Sequence, residues 1–428
     1  MTGDRGVVII DGVRTPFCKA WGVLQDVPVD DLARIAIAEA MARVDLDPAA
    51  VDEVVLGNIA QPAETTTLAR VAAIRAGVPR SVPAVTVNRN CGSGTEAIVT
   101  AWHRIQAGVA DVVVAAGAES MSRIPFQLGQ GFTRRLMTLR RARSLPARAR
   151  ALLGFGRADL TPFSALEVGL RDATSGLNMG ETAEVLARRF GIGRDEQDAY
   201  AVESHRRAVA GRARLREEIV PLYPPPGHAP VTDDVGPRED QSLEALARLK
   251  PAFDRRWGTV TPGNSCMLTD GAAALIIASE ERARALGMPY LGRIRSWAFV
   301  GLDPEVMGLG PVHAAHLALR RAGLGLRDMQ LIEINEAFAA QMLAVIRVSA
   351  SATYGRDTLG RDGALGAIDP AILNVNGGAI ALGHPVGCSG VRLALTLLRE
   401  MARRDLTYGL AALCIGGGQG AALVVERS

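Results

Sequence analysis

This chain carries one strand–turn–helix–strand path written twice, which leaves few folds open to it. In the first copy the turn is Asn88-Arg-Asn-Cys-Gly-Ser-Gly94, so that Cys91 is followed by Gly92 and Gly94. A distorted echo, Gly387-Cys-Ser-Gly390, lies near the C-terminus. Each turn is followed by a stretch with helical spacing, residues 95–108 and 391–404, and each of these runs into an apolar strand, residues 111–120 and 408–420. Earlier pieces also align. A predicted helix over 32–44 and a strand over 52–61 carrying Asn58 correspond to a helix over 313–323 and a strand over 329–340 carrying Asn335. Residues 269–282 likewise match 417–428. Apolar runs alternating with helical patterns predict buried strands in an α/β architecture. A duplicated unit of this kind would assemble its site from both copies.

The chain has 428 residues, enough for two or three domains with large cores. No uninterrupted apolar run is long enough to span a bilayer, and the N-terminal residues lack the layout of a secretion signal. The net charge of +3 is small for this length and points away from a nucleic-acid partner. Cys18, Cys91, Cys266, Cys388 and Cys414 are scattered without a C-x-x-C pair, which predicts free thiols, no metal site and a reducing cytoplasm.

The two copies differ in the middle. Residues 123–255 have no counterpart in the second half and read as an insertion, with a proline-rich loop after Pro221. Within it, residues 133–157 are rich in arginine and free of acids, with Phe132, Leu136 and Leu139 at helical spacing and Leu152, Leu153 and Phe155 further on. Such a basic amphipathic segment, 132–157, suits an anionic membrane surface or a partner protein; the plainer alternative is a solvated flap.

Cys91 sits where a strand gives way to a helix. Unpaired N–H groups there favour a thiolate, and they would also hold an oxyanion once the sulfur attacks a carbonyl. His384, in a turn dense in glycine and asparagine, is a candidate base for a cysteine. His103, His205, His228, His313 and His316 sit in helix-like or proline-rich surroundings and read as structural. Cys414 ends an apolar strand and precedes Gly416, Gly417 and Gly418, a run that predicts close backbone approach to a ligand. Asn335 ends the corresponding strand. In α/β sheets ligands gather beyond the strand C-termini, where Cys91, Asn335 and Cys414 all fall.

Four blocks together resemble the thiolase family: Cys-Gly-Ser-Gly at 91–94, Asn-Glu-Ala-Phe at 335–338, Gly-His-Pro-Val-Gly-Cys-Ser-Gly at 383–390, and Cys-Ile-Gly-Gly-Gly-Gln-Gly at 414–420. The resemblance runs from about Val7 to Glu426. It implies duplicated βαβαβαββ core domains in a five-layered α-β-α-β-α arrangement, with core domains at 1–122 plus 256–289 and at 290–428 and a loop domain inserted at 123–255. It implies coenzyme A thioesters as substrates, no bound cofactor, and a homodimer or homotetramer. Cys91 resembles the nucleophile, His384 the histidine that activates it, Cys414 the second cysteine that protonates the departing enolate, and Asn335 the holder of a water in one oxyanion site. The N–H groups of Cys91 and Gly416 would form the other. Met179, Met307 and Phe338 match positions lining the acyl and pantetheine pocket, and Cys266 replaces a small hydroxyl residue that commonly contacts the pantetheine amide.

The insertion is similar to that of the 3-ketoacyl-CoA thiolases of multienzyme β-oxidation complexes, where it is associated with an α-type partner subunit or the membrane. Two positions depart from related groups: Asn335 stands where those enzymes commonly carry histidine, and Asn178 where short-chain acetoacetyl-CoA thiolases do. The reading is an acetyl-CoA C-acyltransferase, cytoplasmic and membrane-peripheral at most. The runner-up is an acetyl-CoA C-acetyltransferase working in condensation. A decarboxylating condensing enzyme and a non-catalytic acyl-CoA-binding subunit are the remaining readings; Cys414 with its glycine run, and four filled catalytic positions, speak against them.

Overall fold

The computed structural model describes residues 5–224 and 229–427. His228 and part of the expected proline-rich loop fall outside the described residues.

The first half builds β1 (Val7–Arg14), α1 (Val29–Arg43), β2 (Glu53–Gly57), α2 (Leu68–Arg75), β3 (Ala84–Val87), α3 (Ser93–Gln106), β4 (Val112–Ser120) and, after the insertion, β5 (Thr269–Ser279). The second half repeats it as β6 (Gly292–Gly301), α4 (Gly310–Ala322), β7 (Leu331–Ile334), α5 (Ala339–Ser349), α6 (Ser389–Arg404), β8 (Tyr408–Ile415) and β9 (Gln419–Glu426). The pairing is also duplicated. β2 lies parallel to both β3 and β4, β4 antiparallel to β5, and β5 antiparallel to β1. Likewise β7 is parallel to β8, β8 antiparallel to β9, and β9 antiparallel to β6. The counterpart of β3 has shrunk to one parallel bridge between Ile332 and Leu373. A short antiparallel contact of β1 with β6, at Val8–Arg293 and Ile9–Gly292, joins the halves into one continuous sheet, ordered β7-β8-β9-β6-β1-β5-β4-β2-β3.

Burial follows from the layering. β4 and β5 are buried along their whole length because helices cover both faces. Alternate residues of β1 face different cores: Val8 and Ile10 pack with α1 and α2, while Val7 and Ile9 pack with α3 and α6. The third core holds α4 and α5 against the other face of the second half. Thus α3 and α6 form the middle layer, α1 with α2 one outer layer, and α4 with α5 the other.

The two middle helices meet at their N-termini with little more than main chain and the Thr95 hydroxyl between them. A Cβ on Gly94 would lie 2.9 Å from the Val391 nitrogen and 3.1 Å from the Cys388 carbonyl oxygen, and one on Gly390 would strike the Thr95 nitrogen. Only glycine allows the backbones so close. This crossing brings the turns before α3 and α6 together.

The insertion enters after β4 and returns at β5. Its arginine-rich part forms helices Gln130–Arg141 and Leu145–Leu153, and the ring of Phe132 meets that of Phe155, just past the second helix, at a tilt of 59° with centroids 5.7 Å apart. Leu145, Leu152, Leu153 and Leu160 remain exposed. A longer helix, Arg194–Arg216, instead packs inward, where Ser204 and Tyr200 bond the buried Glu336 carboxylate at 2.6 and 3.1 Å.

Candidate active site

Cys91 leaves the strand–helix turn through a strained step. Asn90 adopts φ +46°, outside the range favoured by a side-chain-bearing residue, and its amide donates to the Gly416 carbonyl at 2.8 Å. That bond ties the first-half turn to the glycine run after β8. Gly92 has no room for a side chain, since a Cβ there would strike Ile415. Close approach matters at Gly416 too, where a Cβ would come within 3.1 Å of the Met179 sulfur.

The Gly416 and Cys91 backbone N–H groups both point at the Cys91 sulfur and pull its pKa down, but burial, the larger effect, pushes the thiol up. The expected thiolate is therefore corrected. Loss of hydration outweighs the helix terminus, and the nucleophile rests as a thiol. A base is needed to ionise it.

His384 is buried and held on three sides. Its N–H donates to Thr269 Oγ1 at 3.1 Å, and Nδ1 lies 2.6 Å from Ser389 Oγ. With the serine hydroxyl donating to the Pro385 carbonyl at 3.2 Å, Nδ1 carries the ring proton and Nε2 presents its lone pair. Burial, with the Arg392 charge adding to it, pushes the imidazole down to about 3. It is neutral near pH 7, as a base must be.

Cys414, on β8, is buried, and burial pushes its thiol far up, with the nearby Cys91 and Cys266 adding to the shift. Cys266 is raised to about 12 by burial and then by Cys91. Three sulfurs distant in sequence are thus close enough to feel one another's charge. Asn335 is fully buried; its backbone N–H donates to Ala412 at 3.0 Å, while neither side-chain amide atom meets a protein partner. An unsatisfied buried amide costs about 1–3 kcal/mol, so it has the chemistry to hold a water or a substrate oxygen.

Cys91 and Gly416 open onto a cleft of about 900 Å³ whose walls mix apolar side chains, among them Ile59, Met121, Leu166 and Val386, with charged ones such as Arg123, Arg171 and Asp172. Of the residues expected near substrate, Met179 borders this cleft. Cys266, Met307 and Phe338 do not. Met307 and Phe338 are buried in the cluster that contains Cys414, and Cys266 bonds the Ala337 carbonyl at 3.0 Å. A second, smaller recess of about 180 Å³ ends at Met267, next to Cys266, and carries Arg238, Leu246, Leu249 and Ile380 on its walls.

Asn90, Ser389, Thr269 and this second recess escaped the sequence reading. Ser389 lies inside the quoted turn, and a serine five residues after a histidine at a helix start was the available signal. Of the other described histidines, His205 accepts from the Arg238 N–H at the wall of this second recess, and His313 bonds Tyr354. Among the described residues no cluster of ligands suits a metal ion, and no helix is long and apolar enough to cross a membrane.

A duplicated α/β unit with a cysteine and a histidine in the turns that precede its two central helices is the thiolase arrangement. The chain belongs to the thiolase family: residues 7–281 match its N-terminal domain and 288–427 its C-terminal domain. It is 40% identical to the 3-ketoacyl-CoA thiolase of Serratia proteamaculans over 427 residues, covering 99% of this chain and 97% of that one. Among solved structures, the Bacillus anthracis acetyl-CoA acetyltransferase matches with TM-score 0.86 at 37% identity over 100% of both chains. The human mitochondrial 3-ketoacyl-CoA thiolase in complex with CoA matches with TM-score 0.85 at 36% identity, covering 99% of this chain and 98% of that one.

Proposed function

We propose that this chain is an acetyl-CoA C-acyltransferase that cleaves 3-oxoacyl-CoA with CoA to give acyl-CoA and acetyl-CoA. One observation carries it: a cysteine with two N–H groups aimed at its sulfur opens onto a large cleft, and its charge reaches a second, buried cysteine, Cys414. His384 Nε2 takes the Cys91 proton and the sulfur attacks the β-carbonyl carbon, whose oxyanion is received by the N–H groups of Cys91 and Gly416. The Cα–Cβ bond breaks, and its electron pair passes to an enolate whose oxygen meets His384 and a water held by Asn335. Cys414 gives its proton to Cα, releasing acetyl-CoA. The CoA thiol then gives its proton to the Cys414 thiolate and attacks the Cys91 thioester; the Cys91 thiolate departs and recovers its proton from His384, and acyl-CoA leaves.

CoA is a substrate here, with no resident cofactor. The recess bearing Arg238 suits its phosphates and pantetheine arm, and the cleft of about 900 Å³ suits the acyl chain. That volume favours long substrates over the four-carbon reaction of an acetyl-CoA C-acetyltransferase. The setting is cytoplasmic β-oxidation. β3 is a sheet edge with Val85 exposed, and an open edge of this kind suits pairing between two copies in a homodimer or in a tetramer of such pairs. The helices within 132–157 offer arginines and unpaired leucines to an anionic membrane or an α-type subunit. Thiolysis rates measured across acyl chain lengths test the assignment: rates that hold or rise beyond four carbons support it, and a strict four-carbon preference reverses it.

A further inference from the structure

Glu119, next to last in β4, is a buried charge ending a strand otherwise apolar or small. Its carboxylate collects four hydrogen bonds from two other chain segments. Oε1 accepts from Asn58 Nδ2 at 3.0 Å and the Ala60 N–H at 3.1 Å; Oε2 accepts from the Ile59 and Gly387 N–H groups, both at 3.1 Å. The chain is shaped around these bonds. A Cβ on Gly387 would lie 2.6 Å from Oε2, and one on Gly117 would lie 2.5 Å from the Gly387 carbonyl oxygen. The turn carrying His384 therefore lies flat on the end of β4.

We propose that Glu119 is a positioning residue for acyl transfer: its carboxylate clamps the His384 turn to the loop after β2 and so sets where the imidazole stands relative to Cys91. The inference rests on Cys91 as nucleophile and His384 as its base. Four donors on two oxygens admit only the ionised form, because a carboxylic acid O–H would face an N–H. Burial pushes this carboxyl up to about 7 against the pull of those donors. Its charge in turn raises the Cys91 thiol. The other titratable groups around it are Cys388 and His384 on the clamped turn, and Asp270 on the paired strand β5, bound by Ser122. A negative charge there works against the thiolate, so the clamp acts through geometry and not through electrostatic activation.

Glu119→Gln replaces one acceptor with a donor and leaves two of the four N–H groups facing it. Acylation of Cys91 by acyl-CoA, followed by intact mass, should slow about 10²-fold, the scale of a catalytic group displaced by roughly an ångström. The midpoint of Cys91 alkylation by iodoacetamide against pH should move lower, because the neighbouring negative charge is gone. Glu119→Asp, charged but too short to reach both loops, should slow acylation and leave the midpoint high. In the parent, acylation should fall as pH drops through about 7, where the clamp protonates; the Gln variant should lack that limb. Acylation within twofold of the parent, or a Gln variant that keeps the fall in acylation near pH 7, overturns the proposal. If the Gln variant does not fold, Glu119→Asp with parental acylation does the same. A parent that is never acylated at Cys91 refutes the functional reading itself, whereas an acylated parent matched by its variants refutes the clamp alone.

Discussion

The turn before α3 and the turn before α6 occupy equivalent places in the two halves yet were put to different use. In the first, Cys91 precedes the N-terminal Gly92 of its helix; in the second, Gly387 precedes Cys388, and the reactive group, His384, has moved three residues back. The strand-end asparagines diverge in the same way. Asn58 donates to the Ala118 carbonyl and to Glu119, both at 3.0 Å, whereas the Asn335 amide has no protein partner. One copy keeps its asparagine as structure and offers a nucleophile. The other leaves its asparagine unspent and offers a base. Duplication supplies two frames that meet at a glycine crossing, and chemistry needs each tip filled only once.

The largest effect should come from the first turn. Cys91→Ala should lower thiolysis by about 10⁴-fold or more and abolish the covalent adduct seen by mass. His384→Ala should slow acylation by roughly 10²–10⁴-fold near neutrality and recover toward alkaline pH as the thiol ionises unaided. Because burial holds the imidazole down to about 3, no loss of rate between pH 4 and 6 should trace to its protonation. The asparagines give the sharpest contrast. Asn58→Ala should cost about 1–3 kcal/mol in urea unfolding, because it leaves buried partners unpaired, while Asn335→Ala should cut kcat and leave stability unchanged or higher. Equal stability losses would erase the distinction. Gly390→Ala, forcing a methyl between the middle helices, should cost about 1–3 kcal/mol. Exchange of Leu145, Leu152 and Leu153 for Ser should shift stability by less than about 0.5 kcal/mol and weaken sedimentation with anionic vesicles. Unchanged sedimentation would leave these helices a simple flap.

Much of this was legible in the sequence because the signals were local. Strands β4, β5, β8 and β9 each contain a continuous apolar run, and the turns at Cys91 and Gly387 carry glycines that nothing but close backbone approach demands. The resting thiol was not legible: helix-end N–H groups could be foreseen, but the burial that outweighs them comes from segments far off in the chain. Glu119 was passed over for the same reason, since its donors at 58–60 and 387 are distant from it in sequence. The counterpart of β3 was equally hidden, as one bridge at Leu373 leaves no periodicity to read.

The bare crossing of α3 and α6 also bears on how substrate gets in. With main chain close on main chain at Gly94 and Gly390, and side chains of both helices packed in one core beyond it, nucleophile and base share a single support. Whatever room a thioester needs is then easier to find in the segment inserted between β4 and β5, the part of the molecule that was never copied.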